Sequence, residues 1–262
     1  MSNYIIFNGD SLPADQPVLK AGQHSFGDGL IETMRISKGR VMLEQFHFER
    51  LREGIGLLDF EIPHGTEDTY KSAITQLCQL NKQSSARVRL TVFMNEGKPA
   101  YLAESWPLDD GYTYNETGLE VIVYPHVKKY ADRVSPAKSM NRLIYALAAR
   151  HQHDNMECLI LNNIDNICES TTSNIFWSYG GDAVYTTSLE EGCVNGVMRR
   201  HLVENLNVAE ESLSEHDLAN AEEVFLTNAV RGIRPVSKFR DNRYQTKLSK
   251  KIFTDLVEPL CR

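Results

Sequence analysis

No apolar run in this chain is long enough to span a bilayer, and its first residues do not read as a signal peptide. Cysteine is scarce: the five residues are scattered, odd in number and without a close pair, which reads as a reducing, cytoplasmic compartment. There is no HExxH, no CxxC and no glycine-rich phosphate loop of the GxGxxG or GxxxxGK kind. His151 and His153 are two apart and do not share a helix face, so no metal site is expected from them. Ser170 and Ser173 stand in no nucleophile-elbow frame. Basic residues are outnumbered, 28 against 35 acidic, and the net charge of -7 argues against a nucleic-acid or anionic-membrane partner. Serine, zinc and nucleotide chemistry thus lack support, and a small-molecule partner remains.

What is present is an ordinary globular composition, 42% apolar and 24% charged over 262 residues, enough for two modest domains with cores of their own. A short strand is expected at Tyr4–Asn8. The FGDG turn at Phe26–Gly29 feeds a strand LIETMRI, which forms a hairpin with VML across Gly39. Helices are expected at Glu44–Leu58, with Phe48, Leu51, Ile55 and Leu58 inward, and at Glu67–Leu80. Ala86–Phe93 alternates as a strand. This block, residues 1–108, reads as α+β. Residues 109–118 fall in a polar stretch without period and serve as the boundary. Residues 119–262 follow with strands at Leu119, Cys158 and Glu223 and a hairpin of NIFW and AVYTT across Gly180 and Gly181. Helices are expected near Gly196–Asn205 and Ser214–Asn220, and from Tyr244 to Val257. Met140, Leu143, Ile144, Leu147 and Ala148 have helical spacing, which predicts a core-facing stripe on a helix beginning just after Lys138 and anchoring it.

Five features break their local pattern. Glu32 lies on the apolar face of its strand, where it either pairs in a salt bridge or points into a polar cavity. Arg50, three residues from His47 in FHFERL, is either a solvated helix arginine or a fork for an anion. Lys138 is either a surface lysine or an amine desolvated enough to act as a nucleophile. Glu169 opens ESTTSNIFW, either a plain loop or a carboxylate beside hydroxyls and amides. GCVNGVMRR starts a helix near Gly196 whose free N–H groups can take a phosphate, although glycine there also has trivial steric reasons.

Taken in order, FGDGLIETMR, FHFERL, AKSMNRL, CESTTSNIFW, TTSLEEGCVNGVMRR and EVFLTNAVRGIRPV resemble the fold-type IV pyridoxal-phosphate enzymes. That family includes branched-chain and D-amino-acid aminotransferases and aminodeoxychorismate lyase. The resemblance spans nearly the whole chain. It implies a D-amino-acid aminotransferase-like, two-domain fold mixing α/β and α+β: a smaller N-terminal α+β domain and a larger C-terminal pseudo-barrel α/β domain. It implies pyridoxal 5'-phosphate as cofactor, with Lys138 as the Schiff-base lysine and Glu169 facing the pyridine nitrogen. Arg50, Asn174, Gly196, Val197, Met198 and Ala229 are implied on the cofactor, the arginine and the backbone of Val197 and Met198 on its phosphate. Many relatives carry threonine at the position of Ala229, and branched-chain enzymes carry tyrosine at that of Leu143. Glu32, Arg87, Arg89 and Val230 are expected to face the substrate, the arginines serving a carboxylate. KSMNRL, GCVNGVM, TNAVRGIRPV and the tail EPLCR look closer to the lyases, so the expectation is release of pyruvate and 4-aminobenzoate from 4-amino-4-deoxychorismate. An aminotransferase using D-amino acids or branched-chain L-amino acids is the alternative. Family members are homodimers, and Gln23 and His24 are candidates to complete a partner's pocket.

Overall fold

The computed structural model describes residues 3–16, 27–63 and 65–262. They form two compact units. Unit 1 is Met1–Gly111 with Ala137–Asn141 and Cys261; unit 2 is Tyr112–Pro136, Arg142–Leu260 and Arg262. Gln23 and His24 lie outside the described residues.

Unit 1 is α+β. Its elements are β1 (Tyr4–Phe7), β2 (Asp10–Pro13), β3 (Gly29–Ser37), β4 (Arg40–Val41), α1 (Glu44–Leu57), α2 (Thr66–Leu80), β5 (Ala86–Asn95) and β6 (Lys98–Pro107). The described strands form one antiparallel sheet ordered β2-β1-β6-β5-β3-β4. Strand alternation divides it into two faces. Leu30, Met34 and Ile36 of β3 and Val88, Leu90 and Val92 of β5 pack with Phe48 and Leu51 of α1 and with Ile74 and Leu77 of α2. The other face carries Thr33 and Arg35 opposite Arg89 and Arg87.

The expected helix anchor for Lys138 is corrected. Residues Lys138–Met140 are extended and pair with the free edge of β3. The Ile31 N–H donates to the Lys138 carbonyl at 2.8 Å and the Met140 N–H to the Gly29 carbonyl at 2.7 Å. Glycine is needed at position 29, because a Cβ there would lie 2.8 Å from the Val92 carbonyl and against the Met140 sulfur.

Unit 2 holds β7 (Leu119–Lys129), α3 (Leu143–Ala149), β8 (Met156–Asn162), β9 (Ile167–Ser170), β10 (Asn174–Ser178), β11 (Val184–Thr187) and α4 (Val197–Asn205). It continues with β12 (Val208–Glu211), α5 (Glu215–Asn220), β13 (Glu223–Asn228), β14 (Gly232–Phe239), β15 (Asn242–Arg243) and α6 (Lys247–Ile252). The sheet runs β12-β11-β10-β13-β14-β7-β8-β9, with β15 beside β14. It is mixed: β7 is parallel to β14 and β8, and β11 to β12. The Thr187 hydroxyl of β11 donates to the Cys168 carbonyl of β9 at 2.8 Å. That bond joins strands far apart in the order, so the sheet curls toward a barrel. Strands β10 and β13 are buried almost throughout, which explains their unbroken apolar runs.

Two helix expectations change here. Helix α3 starts at Leu143 and buries Tyr145 and Ala148, while Leu143 is 67% exposed and does not belong to the stripe. The expected Tyr244–Val257 helix is shorter as well. Tyr244 and Gln245 are held before it by N–H bonds to the Ser237 and Glu222 carbonyls. After α6 the chain widens into a π turn over Phe253–Val257 and tightens into a 3-10 turn over Glu258–Cys261. Among the described residues no helix is long and apolar enough to cross a membrane.

Candidate active site

In unit 1, the edge pairing with β3 aims the Lys138 side chain along the sheet. Its Nζ donates to the Thr33 hydroxyl at 3.2 Å. Thr33 stands opposite Arg89 across β3 and β5, and Arg89 opposite Glu104 across β5 and β6. Directly opposed residues share a face, so the lysine amine reaches the face that carries the arginines. Arg87 and Arg89 both lie over the Trp106 ring, 4.4 and 5.1 Å from its centroid, and Arg89 also approaches Glu104 at 3.8 Å. Stacking on the indole preorganises both guanidinium groups.

Glu32 and Arg50 are on the opposite, helix-covered face. Arg50 Nε donates to Glu32 Oε1 at 2.8 Å and Nη2 to Oε2 at 2.7 Å, a bidentate fork. His47 Nδ1 lies 2.5 Å from the same Oε2. Burial raises the proton affinity of Glu32, but Arg50 and His47 outweigh it and hold the carboxyl at about 2. Burial also pushes His47 below its ordinary range, against the pull of Glu32. The ring is therefore neutral, and since an ionised carboxylate can only accept, Nδ1 carries the hydrogen. His47 Nε2 is then an acceptor, buried and without a hydrogen-bond partner among the described residues. Both oxygens of Glu32 are taken by α1, and the residue fixes Arg50.

In unit 2, Glu169 stands on β9 with 3% exposure. Its Oε1 accepts from Lys129 Nζ at 2.6 Å and from the Tyr145 hydroxyl at 2.5 Å. Its Oε2 accepts the Val194 N–H at 3.1 Å. Burial alone would push the Lys129 ammonium down, but the Glu169 carboxylate holds it well above the usual lysine range, so Lys129 keeps its charge. Burial and the same carboxylate raise the Tyr145 phenol, which stays a donor. Arg142 lies over the Tyr145 ring, 3.6 Å from its centroid.

Val194 links this carboxylate to the start of α4. Its N–H reaches Glu169 while its carbonyl accepts from Asn174 Nδ2 at 2.8 Å. Gly196 is the N-cap, and no side chain caps the helix, so the first-turn N–H groups of Val197 and Met198 are left for an anion. A Cβ on Gly196 would overlap Asn174 Oδ1. Thr227, opposite Asn174 on β13, has a buried hydroxyl without a hydrogen-bond partner among the described residues. Ala229 and Val230 form the turn from β13 into β14. The Val230 and Arg231 N–H groups bond Asn228 Oδ1 at 3.1 and 2.8 Å, and the Ala229 carbonyl accepts from the Tyr112 hydroxyl at 2.8 Å.

Sequence reasoning passed over Lys129, Tyr145, His47 and Thr227. Only His47 had a signal, its place three residues before Arg50 in FHFERL.

The sequence profile of the family described as amino-transferase class IV matches residues 29–239. The chain belongs to that family. It is 25% identical over 260 residues to the aminodeoxychorismate lyase of Bacillus subtilis (strain 168), covering 92% of this chain and 88% of that protein. It is 26% identical over 249 residues to a putative branched-chain-amino-acid aminotransferase of Methanocaldococcus jannaschii, covering 87% and 85%. Its fold is similar to that of the branched-chain amino acid aminotransferase from Escherichia coli, with TM-score 0.86 and 19% identity over 100% of this chain and 96% of that one.

Family and fold imply a pyridoxal-phosphate site, and the groups of unit 2 fit one. The uncapped α4 start and the orphaned Thr227 hydroxyl suit a phosphate, and the close approach of Asn174 to Gly196 keeps the helix start free of a Cβ. A buried carboxylate with lone-pair capacity left on one oxygen suits a protonated pyridine nitrogen.

Proposed function

We propose that this pyridoxal-phosphate-dependent enzyme is an aminotransferase, passing the amino group of a D- or branched-chain L-amino acid to a 2-oxo acid. Glu169, a buried carboxylate with Oε1 filled by two donors and Oε2 by one, supports the cofactor chemistry, and the choice of aminotransferase rests on the similarity to branched-chain-amino-acid and D-alanine aminotransferases within a class IV chain. The cofactor supplies an electron sink that makes the bond to the amino acid's α-hydrogen labile. Glu169 Oε2 accepts from the pyridine nitrogen and keeps it protonated. Lys138 would hold the cofactor through its amine, and the same Nζ would be the group that takes and returns the substrate's α-proton. Thr33 steadies that amine between the two duties. Arg50, Val197 and Met198 hold the phosphate, with Glu32 and His47 orienting Arg50; Asn174 and Ala229 shape the same end. Arg87 and Arg89 take the substrate carboxylate, and Val230 borders the substrate.

A second reading, removal of pyruvate from 4-amino-4-deoxychorismate, is favoured by the alignment to the Bacillus subtilis lyase along 92% of the chain. Both reactions use the same residues up to loss of the α-proton. They differ in what is released: an aminotransferase delivers the amino group to a 2-oxo acid, whereas the lyase frees pyruvate and 4-aminobenzoate. One assay offers D- and L-amino acids with 2-oxoglutarate, and a parallel one offers 4-amino-4-deoxychorismate without any 2-oxo acid. Fast 4-aminobenzoate formation without transamination replaces the first reading by the second. Borohydride reduction followed by peptide mapping should place the pyridoxyl group on Lys138; a label on Lys128 or Lys129 removes both readings' assignment of the lysine.

A further inference from the structure

Lys129 is a partly buried ammonium that the reaction as described does not use. It ends β7, where the pairing with β8 shifts register between Tyr124 and Lys129, and this irregularity turns the side chain toward β9. Its side chain is 13% exposed, against 40% for neighbouring Lys128, which pairs with Asp165 at the surface. Two donors, Lys129 and Tyr145, converge on one oxygen of Glu169, and a third, the Val194 N–H, on the other.

We propose that Lys129 is a positioning residue that works through Glu169, fixing which oxygen faces the pyridine nitrogen and weakening its hold on the nitrogen's proton. The inference rests on the assignment of Glu169 to that nitrogen. A carboxylate oxygen offers about two lone-pair directions, and Oε1 spends both on Lys129 and Tyr145. Oε2 spends one on Val194 and presents the other. The carboxylate's charge is shared with an ammonium 2.6 Å away. A carboxylate so paired stabilises a second cation less than a free one does. The pyridine nitrogen accordingly gives up its proton more readily here than beside an unpaired glutamate. The groups packed around Glu169 are Lys129, Tyr145, Arg142 over the Tyr145 ring, and the Cys168 and Cys193 thiols. Burial keeps both thiols protonated, Cys193 at about 11. Lys129 is therefore the one charged group in direct contact with the carboxylate among the described residues.

The test uses holoenzyme loaded with pyridoxal phosphate labelled with 15N in the ring, titrated by NMR in the parent and in Lys129→Met, Lys129→Arg and Tyr145→Phe. In Lys129→Met the pH at which the ring nitrogen loses its proton should rise by about one unit or more, the scale of removing one nearby buried charge. Lys129→Arg should return it to the parent value. Tyr145→Phe should move it the same way by less, and serves if Lys129→Met does not fold. A purely structural lysine predicts the opposite: Glu169 drifts off and the nitrogen deprotonates at lower pH. An unchanged or lowered value in Lys129→Met, or in Tyr145→Phe where that variant stands in, overturns the proposal. If the parent takes up no cofactor on Lys138, the functional reading falls and this inference with it.

Discussion

Arg50 pairs with Glu32 and, on the proposed reading, also holds the cofactor phosphate; one substitution removes both and a second separates them. Arg50→Met keeps most of the side-chain volume and removes the fork from Glu32, which is 2% exposed. The carboxylate is then left with His47 alone. Breaking a buried ion pair by removing one partner costs about 3–5 kcal/mol. The pH dependence gives an independent figure. In the parent, Glu32 titrates at about 2 against an ordinary 4.5, so its interactions stabilise the fold above pH 4.5 and are lost as the pH falls toward 2. A shift of that size corresponds to roughly 3 kcal/mol. In Arg50→Met the largest lowering influence is gone and burial dominates, so the folded-state pKa moves above 4.5 and the sign reverses. The buried charge then costs stability at neutral pH, and the cost fades as Glu32 takes up a proton in acid. The gap between parent and variant should be widest near pH 7 and shrink below pH 4.5. Hydrogen exchange read over β3 and β5 peptides measures it within unit 1. The double variant Glu32→Gln/Arg50→Met should recover most of the stability. It should not recover cofactor affinity, because a charge-assisted phosphate contact is worth about 2–5 kcal/mol and the neutral glutamine does not replace it. Pyridoxal phosphate Kd should therefore stay at least roughly 30-fold weaker in both variants. A loss below about 1 kcal/mol in Arg50→Met would refute the ion-pair reasoning. Parent-like Kd would take Arg50 off the phosphate.

Three further outcomes are expected. Glu169→Gln should retain near-normal cofactor loading but lose about 100-fold or more in kcat, since the pyridinium matters most once the α-proton has left; parent-like turnover at saturating cofactor contradicts that role. Gly196→Ala should displace Asn174 and raise the cofactor Kd about tenfold or more, by equilibrium titration of the apoprotein, while circular dichroism stays unchanged; equal affinity would show that the close approach is idle. Trp106→Leu should loosen Arg87 and Arg89 and raise KM for the amino acid several-fold with little change in kcat, and an unchanged KM would separate these arginines from the substrate.

What the sequence displays depends on whether a residue's partner is near in the chain or periodic along it. The strands β3 and β5 and the helices α1 and α2 were legible because most of their apolar side chains fall on one face, and an apolar face leaves a period. The same rule misled at Lys138. Met140 and Leu143 match a helical spacing, but the edge of β3 is about 110 residues earlier and captures Lys138–Met140 as an extended segment, which no local pattern records. Leu143 is left exposed, and Tyr145 supplies the buried face of α3 instead. Glu32 stood out as a charge on an apolar strand face and Arg50 as a candidate fork for an anion, and each answers the other, so two anomalies in the sequence are one ion pair in the fold. Glu169 was visible as the head of a motif, but its three donors come from the end of β7, from α3 and from the loop before α4. Lys129 sits in a run of exposed residues, HVKK, and reads as one more surface charge; only the register shift turns it inward. The charge that a catalytic carboxylate presents is thus set by residues that carry no signature of their own. A carboxylate that a motif picks out is already partly paired by such residues, and the 15N titration of Lys129→Met measures how much of its charge is left.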